Sequence, residues 1–148
     1  MKVAERRDPA PLARVMIADD NEDQVSTLAT LLHTEGYAVR GSPSGTELLA
    51  QVTTFRPQVV ILDIGMPDMT GYDVARALRT NSKSSDVLLI ALTCYNTQTD
   101  RLVSKLAGFD YHIAKPVDPN NLSAIIRDYL AGNRPARIHV IPDHDIPR

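Results

Sequence analysis

Val59-Val60-Ile61-Leu62-Asp63-Ile64-Gly65-Met66-Pro67 decides how the rest of the chain is read. Four consecutive apolar residues, Val59 to Leu62, run directly into a carboxylate. An apolar run this short, rich in β-branched side chains, matches a strand buried on both faces, as in a parallel sheet flanked by helices. Gly65 and Pro67 break the strand and leave Asp63 at its carboxyl end. Ligands of open α/β sheets bind at that edge. A carboxylate there can also simply end a strand or cap a loop, so its meaning depends on what else reaches the same edge.

Toward the N-terminus, Arg14-Val15-Met16-Ile17-Ala18 is a second apolar run, and it stops at Asp19-Asp20. Asn21-Glu22-Asp23 supplies N-cap and first-turn chemistry. Val25, Leu28, Leu31 and Leu32 then recur at helical spacing and predict a helix over 22–35, stopped by Gly36. Residues 37–41 read as a weaker strand. Ser44 caps a helix carrying Leu48, Leu49, Val52 and Phe55, which Pro57 closes.

Toward the C-terminus, residues 71–80 read as a helix through Val74, Ala75 and Leu78. Residues 86–92 form the most apolar strand and stop at Thr93. A helix over 97–107 has Leu102, Val103 and Leu106 as its apolar face, and Gly108 ends it. A strand over 110–114 stops at Lys115-Pro116. The last helix, from Asp118 or Pro119, turns Leu122, Ile125, Ile126, Tyr129 and Leu130 inward and ends at Gly132. Five strands alternating with five helices predict an α/β domain, a five-stranded parallel sheet with helices on both faces. Residues 1–13 read as a flexible N-terminal arm, 14–131 as the domain, and 132–148 as a tail. The tail is either mobile or a strand-like arm against something else.

Composition narrows the class. The chain has 148 residues, 43% of them hydrophobic and 23% charged, which is one ordinary globular domain. A formal net charge of −2 gives no electrostatic reason to expect nucleic acid or an anionic membrane as partner. A single cysteine, Cys94, rules out an intrachain disulfide framework. No apolar run approaches the ~20 residues of a membrane span, and the charged, proline-broken start has no leader-like apolar segment. A cytoplasmic setting is the expectation.

The strand exits collect Asp19, Asp20, Asp63, Thr93 and Lys115, and a parallel sheet brings such exits to one edge. Three carboxylates close together repel, and hard oxygen donors suit Mg²⁺, which keeps open positions for water and phosphate. A hydroxyl and an ammonium opposite them suit a transferring phosphoryl group, with one carboxylate free to act as nucleophile.

Asp19-Asp20, Asp63-Ile64-Gly65-Met66-Pro67, Thr93 and Lys115-Pro116, in this order and each after its own strand, resemble the receiver domain of two-component response regulators. The resemblance covers residues 14–131 and implies the flavodoxin-like (βα)5 receiver fold. Segments 91–95 and 108–118 are further similar to receivers of hybrid histidine kinases. The resemblance implies that Asp63 accepts a phosphoryl group from a sensor histidine kinase or histidine phosphotransfer protein. It implies Mg²⁺ held by Asp19, Asp20, Asp63 and the backbone carbonyl of Gly65, with Thr93 and Lys115 stabilising the phosphoryl oxygens. It also implies a cis bond before Pro116 and output through protein contact at residues 97–131. Such a domain promotes only its own phosphorylation and dephosphorylation.

Several positions depart from the family pattern. The fifth strand carries His112, with Tyr111 just before it, where receivers place a switching aromatic three residues ahead of the lysine. Two readings stand: a histidine that swings in its place and titrates near neutrality, or an ordinary surface histidine of the strand. Cys94 either crowds the phosphoryl pocket and responds to oxidation or is a small buried residue. Gly65 and Tyr95 fall where water access is tuned. Residues His139, Asp143, His144 and Asp145 have no metal-site spacing, and Arg6-Arg7 is too short for a nucleic-acid patch.

The expected function is a stand-alone, phosphorylation-dependent switch without an output domain. The rivals are a phosphorylation-independent docking module, a receiver piece of a hybrid-kinase phosphorelay, and a phosphatase turning over an external substrate through an aspartyl-phosphate.

Overall fold

Parallel strands with one helix between each pair build the molecule in the order β1 (Arg14–Ala18), α1 (Glu22–Thr34), β2 (Ala38–Ser42), α2 (Gly45–Phe55), β3 (Val59–Asp63), α3 (Gly71–Thr80), β4 (Leu88–Thr93), α4 (Gln98–Ala107), β5 (Tyr111–Ala114), α5 (Pro119–Leu130) and β6 (His139–Ile141). The structure is a computed structural model and describes residues 10–94, 97–134 and 139–141, the last three as backbone only. The sheet order is β2-β1-β3-β4-β5-β6, every pair parallel. The five expected strands and five helices are all present.

Period-two alternation divides the apolar residues between two layers. Val15, Ile17, Val59, Ile61, Leu88, Ile90, Leu92, Tyr111 and Ile113 pack under α1 and α5, with Leu28, Leu32, Leu122 and Ile126. Met16, Ala18, Val60, Leu62, Leu89 and Ala91 pack under α2, α3 and α4, with Leu48, Val52, Val74 and Leu78. Every residue of β3 and β4 is buried, as continuous apolar strands between two helical layers must be. Side chains cap the helix starts: Asn21 accepts from the Gln24 N–H, Ser44 from Glu47, Thr70 from Asp73 and Asp118 from Asn120. Thr97 and Asp100 form a reciprocal capping box on α4. Each such cap contributes about 1 kcal/mol.

The structure decides one reading of the sequence and corrects two others. Of the two readings of the tail, the strand-like arm holds for His139–Ile141, which adds a sixth strand outside β5. A three-residue strand is too short to show alternation, which is why the pattern concealed it. The buried residues of α4 are Ser104 and Ala107, whereas Leu102 is 55% and Leu106 75% exposed. Close approach of α4 to the sheet selects small side chains, so its leucines face outward. The end of the N-terminal arm is also held, since Leu12 N–H donates to the Gly36 carbonyl and Ala13 is buried. Residues 1–9 lie outside the described residues.

Candidate functional site

Each strand end at the carboxyl edge is fixed by backbone hydrogen bonds that continue past the ladder. Asp19 N–H donates to Ser42 O (3.2 Å), Ile64 N–H to Leu92 O (3.2 Å) and Lys115 N–H to Thr93 O (2.8 Å). Side chains rooted there project from main chain already held by hydrogen bonds. One carboxylate oxygen from each of Asp19, Asp20 and Asp63 lies within 4.8 Å of the others. Asp19 and Asp63 are buried and Asp20 is exposed, so the cluster opens to solvent on one side.

Lys115 joins the two buried carboxylates. Its Nζ donates to Asp19 Oδ2 at 3.1 Å and to Asp63 Oδ1 at 3.2 Å. Backbone amides do the rest: Asn21 N–H donates to Asp19 Oδ1 (3.0 Å) and Gly65 N–H to Asp63 Oδ1 (3.3 Å). Burial pushes the Asp63 carboxyl above its ordinary value and the Asp19 charge pushes it further, with Lys115 and the Gly65 N–H pulling the other way. Burial alone would lower the Lys115 ammonium, but its hydrogen bond to Asp19 and the two carboxylate charges hold it above its ordinary value. Three carboxylates against one ammonium leave excess negative charge in a partly dry site. Hard oxygen donors at this spacing fit Mg²⁺.

Thr93, 1% exposed, ends β4 beside Ala114, which immediately precedes Lys115. The Lys115–Pro116 bond is cis. Gly65 is exposed, and a Cβ built on it would meet nothing within 4 Å. The sequence reading missed Gly71, the first residue of α3. A Cβ there would lie 2.7 Å from the Asp63 carbonyl oxygen and 3.0 Å from Ile64 Cα, both backbone atoms. Gly71 therefore lets α3 start directly against the strand end that carries Asp63. Gly71→Ala is expected to cost about 1–3 kcal/mol in urea unfolding, because neither contact can yield without moving the backbone.

His112 is fully buried, which removes the surface-histidine reading. It lies on the α4 side of β5, and its Nδ1 stands 2.6 Å from Ser104 Oγ of α4. Tyr111 points to the opposite layer, among the α1 and α5 side chains. Ser104→Ala removes a buried hydrogen-bond partner, and a loss of about 1–2 kcal/mol on urea unfolding is expected. Cys94 is exposed, which overturns the buried reading. Tyr95, Asp143, His144 and Asp145 lie outside the described residues, as do Arg6 and Arg7.

A doubly wound parallel sheet carrying an acidic cluster, a lysine and a buried threonine at its carboxyl edge defines the class of the molecule. The family model for the response regulator receiver domain matches residues 15–127. The chain belongs to that family. It is 31% identical to protein PilH of Pseudomonas aeruginosa over 121 residues, covering 82% of this chain and 100% of PilH. It is 34% identical over 135 residues to the DNA-binding response regulator MtrA of Mycobacterium leprae, covering 90% of this chain and 59% of MtrA. The crystal structure of a CheY-like response regulator receiver domain protein from Methanospirillum hungatei superposes with a TM-score of 0.76 at 28% identity, covering 81% of this chain and 94% of that one. Among the described residues, no helix is long and apolar enough to cross a membrane.

Proposed function

We propose that this receiver takes a phosphoryl group onto Asp63 from the phosphohistidine of a sensor histidine kinase or histidine phosphotransfer protein. The observation that carries the reading is Lys115 Nζ held between Asp19 and Asp63 at the mouth of the acidic cluster. Asp19, Asp20, Asp63 and the Gly65 carbonyl would hold Mg²⁺, which supplies Lewis-acid neutralisation of the phosphoryl oxygens when bound. A carboxylate oxygen of Asp63 attacks phosphorus, an O–P bond forms, and the P–N bond to the donor imidazole breaks. Lys115 moves its hydrogen bond from Asp63 to a phosphoryl oxygen, and the Thr93 hydroxyl donates to another. The chain works in the cytoplasm, with residues 14–131 as the receiver.

Output passes through the face formed by residues 97–131. Leu102 and Leu106, one turn apart on α4, give that face exposed apolar area, the usual mark of a protein contact. His112 couples the pocket side of β5 to α4 through Ser104, in the place of the usual aromatic. Charge added at Asp63 then biases two arrangements of unequal partner affinity.

The test is intact mass after incubation with acetyl phosphate. A single phosphoryl adduct that requires Mg²⁺ is expected. A folded protein that takes up no phosphoryl group under these conditions is a phosphorylation-independent docking module instead.

A further inference from the structure

We propose that the outer edge of β5 is a docking site for an extended strand, and that the chain's own segment His139–Ile141 is its removable cover. The pairing is parallel, with Tyr111 opposite His139, His112 opposite Val140 and Ile113 opposite Ile141. This reading is independent of phosphoryl transfer.

The two outer strands of the five-stranded core are protected differently. β2 is partly exposed and carries Arg40 and Gly41, features that discourage pairing with a foreign strand. β5 reads Tyr-His-Ile-Ala, with no Lys, Arg, Asp, Glu, Gly or Pro, and every residue is buried. Apart from its shortness, its edge carries no charge, breaker or bulge that would blunt it.

The cover is held in an unfavourable way. Strands β2, β1, β3, β4, β5 and β6 follow one another across the sheet. The step from β1 to β2 runs one way with α1 in the first layer, and the steps to β3, β4 and β5 run the other way with α2, α3 and α4 in the second. All four share one hand. The step from β5 to β6 continues in the second direction, but α5 lies in the first layer with α1. The β5–α5–β6 crossover therefore has the opposite hand to the one that about 98% of parallel crossovers take, and the strand twist resists it. With only three residues paired, the segment gains few backbone bonds to offset that cost.

A fixed root keeps the cover close. Arg134 donates from Nη1 to the Asp86 carbonyl and from Nη2 to the Val87 carbonyl, at 2.7 and 2.9 Å, and also pairs with Asp110. The tail is thus tethered near the amino ends of β4 and β5, and the strand beyond it can lift while its base stays in place. The occupant such an edge fits is an uncharged, β-branched extended segment running parallel to β5, as Val140 and Ile141 do.

Residue-resolved hydrogen–deuterium exchange on the full chain tests this, beside a full-length variant carrying His139→Pro and Val140→Pro. Successive strand amides point to opposite sides, so the two prolines together remove whichever of these N–H groups faces β5. In the unsubstituted chain, β5 amides facing β6 should exchange through a local opening well below global unfolding, and those facing β4 only with the global transition. In the variant the β6-facing amides should exchange at least about tenfold faster, with β4-facing amides unchanged. A synthetic peptide of residues 135–148 at millimolar concentration should restore the protection. Equal protection on both sides of β5 in the unsubstituted chain would overturn the removable cover, and equal rates in chain and variant would overturn the cover itself. A peptide without effect would overturn the docking site. Protection that grows with protein concentration alongside a dimer mass would replace the proposal with exchange of tails between two copies.

Discussion

The Asp63→Asn protein should gain no phosphoryl adduct from acetyl phosphate at any Mg²⁺ concentration, yet be more stable than the unsubstituted chain at neutral pH in Mg²⁺-free buffer. The first half follows from removing the nucleophilic carboxylate while keeping its shape. The second follows from electrostatics. Burial first, and Asp19 second, raise the Asp63 carboxyl above its ordinary value, so the folded protein holds that proton more tightly than the unfolded chain does. For an acid raised in this way, the stabilising contribution is present below the unfolded value and is lost as pH rises through the folded value. The unsubstituted chain therefore loses stability relative to the variant on going up from about pH 4, and the two converge below it. Lys115 keeps its 3.1 Å bond to Asp19 in the variant, so the ammonium is not stranded. Intact mass and thermal unfolding across this pH range check both halves. An adduct on the variant would move the acceptor elsewhere, and a variant less stable at neutral pH would reverse the sign assigned to the Asp63 environment.

Arg79→Ala should be among the most destabilising single changes outside the apolar core, by about 2–4 kcal/mol. The guanidinium of Arg79, near the end of α3, fills a gap that no backbone ladder closes. Nε and Nη2 donate to the Gly108 carbonyl at 2.9 and 2.7 Å, and Nη1 to the Ser85 and Val87 carbonyls at 2.9 and 2.6 Å. Nη2 also pairs with Asp110 Oδ2 at 2.9 Å, with both side chains largely buried. Alanine leaves the Gly108 and Ser85 carbonyls without this donor, while the Val87 carbonyl keeps Arg134, and lysine cannot reproduce a planar fork reaching two segments. Asp110 retains Arg134 at 3.3 Å and the Leu89 N–H at 2.9 Å, which limits the loss. Urea unfolding at unchanged m-value measures it. A loss below about 1 kcal/mol would mean that water replaces the guanidinium at these carbonyls.

What could be read from the sequence and what could not divide along physical lines. Asp19, Asp20, Asp63, Thr93 and Lys115 were legible because each is a polar residue ending an apolar run, and parallel topology alone then gathers such ends at one edge. Arg79 was not legible, since its acceptors at Ser85, Val87, Gly108 and Asp110 belong to segments that only the fold brings together. Gly71 was hidden for the same reason, as its need for no side chain comes from a carbonyl eight residues earlier in the chain. On α4 the helical period was read correctly but the face was not: leucine marks a core only where the helix stands far enough off, and Ser104 beside His112 shows that this one does not. The exposure of Cys94 likewise depends on where β4 ends rather than on residue type.

The hydrogen bonds running past the strand ends have a thermodynamic consequence for recognition. Ile64, Asp19 and Lys115 have their main-chain amides already committed to Leu92, Ser42 and Thr93. A visitor at this edge therefore finds the roots of the polar side chains ordered in advance and pays no backbone entropy to arrange them. What is left to arrange on binding is the side-chain tips and the loops above, such as residues 65–70, which form no helix or strand. Exchanges in those loops can thus retune how long a visitor stays while the base beneath keeps the same shape, so residence time and fold stability can vary independently of each other.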